Sequence, residues 1–189
     1  MAEDPLSSRK RTQEEEYFQR KERELAERLR QRAQAEQQLR ELGESIGVTD
    51  PGVIHELAEL GFTLETVKLL PLIPVLEMAW AEGGVTPPER KMVLDVARAR
   101  GIDEGSAADH QLLGWLDRRP EESVFRRAGH LINALFASEA RIDLTPDDLL
   151  KYCEAIADAS GGLFGIRRVS SDERMTLERI ANEIKGRQT

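Results

Sequence analysis

Four stretches of this chain open in the same way, with a Ser or Thr, an acidic residue three positions on, and apolar residues at helical spacing beyond it: Thr86/Glu89, Ser106/Asp109, Thr145/Asp148 and Ser170/Glu173. A hydroxyl at the N-cap accepts a hydrogen bond from the backbone N–H three residues on. The carboxylate reaches back to the N–H of the cap, so each pair satisfies donors that a helix start leaves orphaned. Glu makes that return contact better than the shorter Asp, so the first and last pairs are the stronger boxes. Pro87 and Pro146 follow their caps at the first helical position, where a missing N–H costs nothing. Gly101 and Gly186 stand where a left-handed residue would end a helix. No alternation of β-branched residues appears anywhere, so an all-α domain of about seven helices follows.

Charge and composition divide the chain at residues 49/50. Residues 1–49 hold 11 acidic and 10 basic side chains, and the remainder holds 24 acidic against 17 basic, so nearly all of the net charge of -8 belongs to the second part. From Thr12 to Leu42 there is no Gly or Pro, and Glu, Arg, Gln, Leu and Ala dominate. That run predicts one long, mostly solvated helix. Phe18, Leu25, Leu29, Ala35, Leu39 and Leu42 suit a heptad seam only in part, because Arg28 and Arg32 take places that a coiled coil wants apolar. A solitary helix and a homo-oligomeric coiled coil both stay open.

After Gly43 and Gly47, Asp50-Pro51 gives an N-cap and a first-turn proline for a short helix ending near Gly61, and the compact domain, residues 50–189, starts there. Thr63 is placed to cap the next helix. Pro71 and Pro74 each remove a backbone donor and predict a kink or restart before an apolar helix that runs to Ala81. The stretch from Val67 to Ala81 is about fifteen residues and carries Lys68 and Glu77, whereas a membrane span needs about 20 apolar residues, so it reads as a buried helical region.

The two halves of the domain echo each other. Ala81-Glu82-Gly83-Gly84-Val85-Thr86-Pro87-Pro88-Glu89-Arg90 parallels Ala159-Ser160-Gly161-Gly162 followed, after six extra residues, by Val169-Ser170-Ser171-Asp172-Glu173-Arg174. The likeness extends into the next helix, where Val93, Val96 and Ala97 match Leu177, Ile180 and Ala181 on one apolar face. A bundle of two repeated helix-loop-helix units follows, behind the long charged N-terminal helix.

The run Glu82-Gly83-Gly84-Val85-Thr86-Pro87-Pro88-Glu89 resembles a loop of the tellurite-resistance TerB-like family: an acidic residue, Gly, any residue, an aliphatic, Ser or Thr, two variable residues and Glu. The second copy resembles that family's second loop, and the likeness covers roughly residues 64–186. It implies an all-helical bundle of two repeated units and acidic loop residues associated with divalent cations. Related domains also stand beside J-domain co-chaperones, which implies a stress or chaperone setting. Position by position, Glu82 matches the first loop's acidic residue, Glu89 its helix-start glutamate and Glu173 the second one. The chain departs from the pattern in having Glu rather than Asp at 82, Ser160 where the second acidic residue is expected, and the insertion Leu163-Phe164-Gly165-Ile166-Arg167-Arg168. Asp158 is the carboxylate placed to substitute for Ser160.

Two candidate sites follow. Glu82, Glu89, Asp158 and Glu173 could supply oxygen ligands to calcium or magnesium if the loops face each other; the competing reading makes Glu89 and Glu173 purely capping residues. Phe164, Ile166, Arg167 and Arg168 read either as an exposed apolar and basic finger that contacts a partner protein or an anionic membrane surface, or as a loop whose Phe164 and Ile166 tuck back onto the bundle. His55, His110 and His130 lie on different predicted helices and form no metal pair, and Cys153 shares an apolar face with Leu149, Leu150, Ile156 and Ala157. Trp80 and Trp115 read as core or core-edge residues. The single cysteine, the absence of a greasy leader in the first ten residues and the acidic balance fit a cytoplasmic protein that does not bind nucleic acid. No nucleophile–base pair appears at a recognisable spacing, so the expected role is that of a non-enzymatic interaction module, with a low-affinity divalent-cation sensor as the alternative.

Overall fold

The computed structural model describes the backbone of residues 5–137, 144–160 and 170–185, and the side chains of residues 15–136, 144–159 and 170–184. Over these residues the chain folds into α1 (Pro5–Ile46), α2 (Pro51–Glu59), a 3-10 helix (Val67–Leu72), α3 (Ile73–Ala79), α4 (Pro87–Ala99), α5 (Ala107–Asp117), α6 (Glu122–Ala137), α7 (Pro146–Ser160) and α8 (Ser171–Lys185). No strand occurs among the described residues, as the sequence predicts. Helix α6 starts just after Pro120 and has no Ser or Thr box, so its beginning carries none of the local signature that marks α4, α5, α7 and α8.

The chain divides into two compact units, Met1–Arg40 and Glu41–Thr189. In the first, α1 is exposed along almost its whole described length. The second takes in the last turn of α1, where Leu42 is buried and Ile46 packs against the core, before Gly47 ends the helix at φ 72°. Helix α1 continues through Gly43 for a steric reason. A Cβ there would stand 2.5 Å from Ile54 Cδ1 and 2.8 Å from the Val48 carbonyl oxygen, so only glycine lets the returning chain and α2 come this close.

Helix α3 is buried at all seven of its positions. A helix that is apolar all round must be covered on every side. Here α4, α6, α7 and α8 all pack against it. The prolines act as their chemistry requires: Pro71 sits inside the 3-10 turn, and Pro74 falls in the first turn of α3, where its missing N–H has no helical partner to lose. Thr63 does not cap a helix as the sequence suggests. Its N–H donates to Thr66 Oγ1 at 2.9 Å in a local turn, and the 3-10 helix begins after Thr66.

Within α3 stands Glu77, 6% exposed, whose carboxylate accepts from Arg179 of α8, while Arg179 also reaches Glu183 at 3.2 Å. Burial pushes the Glu77 carboxyl above its ordinary range, against the pull of Arg179. Removing Arg179 would leave a buried acid without its partner. Arg179→Leu is expected to destabilise the fold by about 1–3 kcal/mol, because an orphaned buried polar group loses its compensation. Gly43→Ala is expected to lose about 1–3 kcal/mol by overpacking against Ile54 and Val48. Urea unfolding of each variant against the wild-type chain measures both, and unchanged midpoints would contradict them.

Candidate functional site

Thr86 of the first echoed stretch opens α4 and Ser170 of the second opens α8, and both helices start from a complete reciprocal cap. Thr86 N–H donates to Glu89 Oε2 at 2.6 Å, and Glu89 N–H returns to Thr86 Oγ1 at 3.5 Å. Ser170 N–H donates to Glu173 Oε2 at 2.7 Å, and Glu173 N–H returns to Ser170 Oγ at 3.2 Å. Of the two aspartate pairs, one departs from this pattern. Asp148 N–H reaches Thr145 Oγ1 at 3.1 Å, and its carboxylate takes the Thr145 hydroxyl at 2.6 Å, as Glu89 takes that of Thr86 at 2.7 Å. Asp109 N–H reaches Ser106 Oγ at 3.1 Å, while its carboxylate passes the cap to accept from Gly105 N–H at 2.8 Å and from Arg98 at 2.6 Å. Those contacts hold the Asp109 carboxyl below its ordinary range, Gly105 contributing most.

Glu89 and Glu173 are almost fully buried, at 2% and 1% exposure. Burial is the main reason that the Glu89 carboxyl is pushed above its ordinary range; the Thr86 hydrogen bonds oppose the shift, and the charges of Glu173 and Glu82 add to it. The two helix starts therefore lie within electrostatic reach of one another, together with the exposed Glu82. Asp158 lies exposed in the last turn of α7. The charges of two nominated carboxylates, Glu82 and Glu173, thus bear on a third, Glu89. Even so, no group of three or more His, Cys, Asp or Glu side chains able to hold a metal ion is assembled among the described residues. As arranged, Glu89 and Glu173 do the work of helix caps.

The other nominated residues separate clearly. Phe164, Ile166, Arg167 and Arg168 lie outside the described residues. His55, His110 and His130 are all exposed; His55 stands 3.4 Å from Glu59, and His110 Nδ1 lies 2.9 Å from the Ser106 carbonyl in the first turn of α5. Cys153 is fully buried, and burial pushes its thiol far above its ordinary value, which makes it inert as a nucleophile. Trp80 and Trp115 pack at the edge of the core, where Trp80 Nε1 donates to the Trp115 carbonyl at 2.9 Å and Trp115 meets Phe62 edge to face at 6.1 Å. Sequence reasoning missed the Glu77–Arg179 pair and the contact of Arg127 with both Glu56 and Glu59, at 3.1 and 2.8 Å. For the first pair a signal existed, since Glu77 stands alone in an otherwise apolar helix.

The raised Glu89 carboxyl has a definite consequence for stability. Between its unfolded value of 4.5 and its higher folded value, the folded state binds more protons than the unfolded one. Its contribution is therefore fully present below 4.5 and is lost as pH rises through the folded value. Glu89→Gln keeps an acceptor for Thr86 N–H and removes the buried charge. Its melting temperature near neutral pH is expected to equal or exceed that of the wild type, and its gain on acidification toward pH 4.5 to be smaller. Glu89→Ala leaves the residue-89 N–H on Thr86 Oγ1 but removes the carboxylate that Thr86 N–H and hydroxyl donate to, and is expected to lose about 1–3 kcal/mol. Thermal melts of both variants across this pH range check the pair, and a Gln variant as damaged as the Ala variant would contradict it.

Set against models of known protein families, curated proteins and solved structures, the chain matches none of them.

Proposed function

We propose that this chain is a non-enzymatic helical interaction module resembling the TerB-like family, built of two repeated helix-loop-helix units, that binds a protein partner through its acidic bundle surface and its long N-terminal helix. The observation that carries this reading is the employment of the buried polar side chains. Glu77 is held by Arg179, Glu89 by Thr86, Asp109 by Gly105 and Arg98, Glu173 by Ser170, and Thr66 by Thr63 N–H. Each secures a turn, a cap or a helix contact, so among the described residues the buried polar side chains serve architecture and the surface is left to recognise. The repeat is supported by the same cap at the starts of α4 and α8 and by the charge of Glu173 bearing on Glu89. A cytoplasmic stress or tellurite-resistance setting belongs to the same resemblance.

One observation favours a second reading, a low-affinity divalent-cation sensor at Glu82, Glu89, Asp158 and Glu173. The charges of Glu173 and Glu82 both bear on Glu89, and a cation would relieve that repulsion. Binding would draw Glu89 and Glu173 away from their caps, so affinity would be low. Thermal melting in calcium or magnesium separates the two. An ion binding the folded state at 100 times its dissociation constant adds about 2.7 kcal/mol, a shift of several degrees. The interaction module predicts no shift up to millimolar ion. A shift that disappears in Glu82→Gln would overturn it in favour of the sensor.

A further inference from the structure

We infer that the free part of α1 pairs with the same helix of a second copy, antiparallel, with Leu25 of each chain against Leu29 of the other. Tyr17, Phe18, Leu25 and Leu29 are 49%, 63%, 59% and 56% exposed, a row of large apolar side chains on a helix that is itself exposed. Phe18, Leu25 and Leu29 are spaced by seven and four residues, so they lie on one stripe together with Glu22, Arg32, Glu36 and Leu39. That stripe needs an occupant, and its charges name it. Residues 15–27 hold five acidic and three basic side chains, whereas residues 28–40 hold four basic and one acidic. Within residues 15–40 the helix is thus negative in its first part and positive in its second, so an antiparallel copy centred on this segment meets it there with the opposite sign.

The register follows from the residues themselves. Setting Leu25 against Leu29 places Glu22 opposite Arg32 in the adjoining layer, and the two-fold axis repeats both layers on the other side of Glu27. Ala26 and Ala33 flank the stripe and let the backbones approach. A parallel, in-register pair would stack Glu22 on Glu22 and Arg32 on Arg32 inside the seam, which like-charge repulsion disfavours. Arg32, which spoils a parallel heptad, is thus the feature that fixes an antiparallel one. The inference deepens the proposed function by naming what covers α1, and a monomeric chain would refute it while leaving the acidic bundle surface free to bind a partner.

Sedimentation equilibrium of the full-length chain is the test, and a reversible dimer at micromolar concentration is the expected result. Leu25 and Leu29 are exposed and take no part in the buried core, so Leu25→Glu is expected to leave the melting temperature unchanged and yield a monomer. Glu22→Arg alone and Arg32→Glu alone are each expected to weaken the dimer at least about tenfold, equivalent to about 1.4 kcal/mol. The double swap Glu22→Arg/Arg32→Glu should restore it, which a parallel pair could not do. Raising the ionic strength to about 1 M, where screening acts within about 3 Å, should weaken the wild-type dimer. A monomeric wild-type chain, a dimer indifferent to Leu25→Glu, or a double swap no better than its single variants would overturn the inference.

Discussion

Everything in the bundle is arranged around α3, a helix of seven residues with no face that can meet water. Such a helix cannot sit on a surface, so α4, α6, α7 and α8 must close around it. Its one charged side chain, Glu77, then becomes a constraint rather than a decoration. The carboxylate is desolvated, and only an arginine delivered from α8 offsets that loss. Helix α8 therefore has a position fixed by charge as well as by the apolar face of Ile180 and Ile184.

Covering a central helix from several sides has a second effect, which is to bring helix starts together. The turn after α3 feeds α4, and Ser170 opens α8, and the capping glutamates of these two helices are both buried. Each carboxylate is oriented by its own cap, and the charge of Glu173 adds to the electrostatic cost of ionising Glu89. The arrangement trades some electrostatic strain for two sharply defined helix starts. Protonation of Glu89 relieves the strain.

What could be read in the sequence was what is local. A cap and its return carboxylate are three residues apart, so Thr86/Glu89 and Ser170/Glu173 declare themselves, and the shorter reach of Asp explains why Asp109 serves Gly105 and Arg98 instead of closing a box. The prolines at 71 and 74 announced a restart because they act on their own backbone. Partner choice across the chain was not legible. Nothing near Glu77 says that its counter-ion stands 102 residues away, and nothing near Gly43 says that Ile54 will pack against it. Of the candidate site, the sequence named Glu89 and the carboxylates Glu82 and Glu173 whose charges bear on it, but the burial of Glu89 and Glu173 and their engagement at the caps are consequences of packing. Phe164, Ile166, Arg167 and Arg168 fall outside the described residues, so the basic finger stands as an expectation from the sequence.

The coupling between the two buried caps is the most direct point at which to examine this account. A double-mutant cycle of Glu89→Gln and Glu173→Gln, read by denaturant unfolding at neutral pH, isolates it. If the carboxylates repel each other in the folded state, each single substitution relieves that repulsion and the double can relieve it only once. The double variant should then be less stable than the sum of its parts by about 0.5 kcal/mol or more. Additivity to within about 0.3 kcal/mol would mean that the two helix starts do not meet, and would contradict the account.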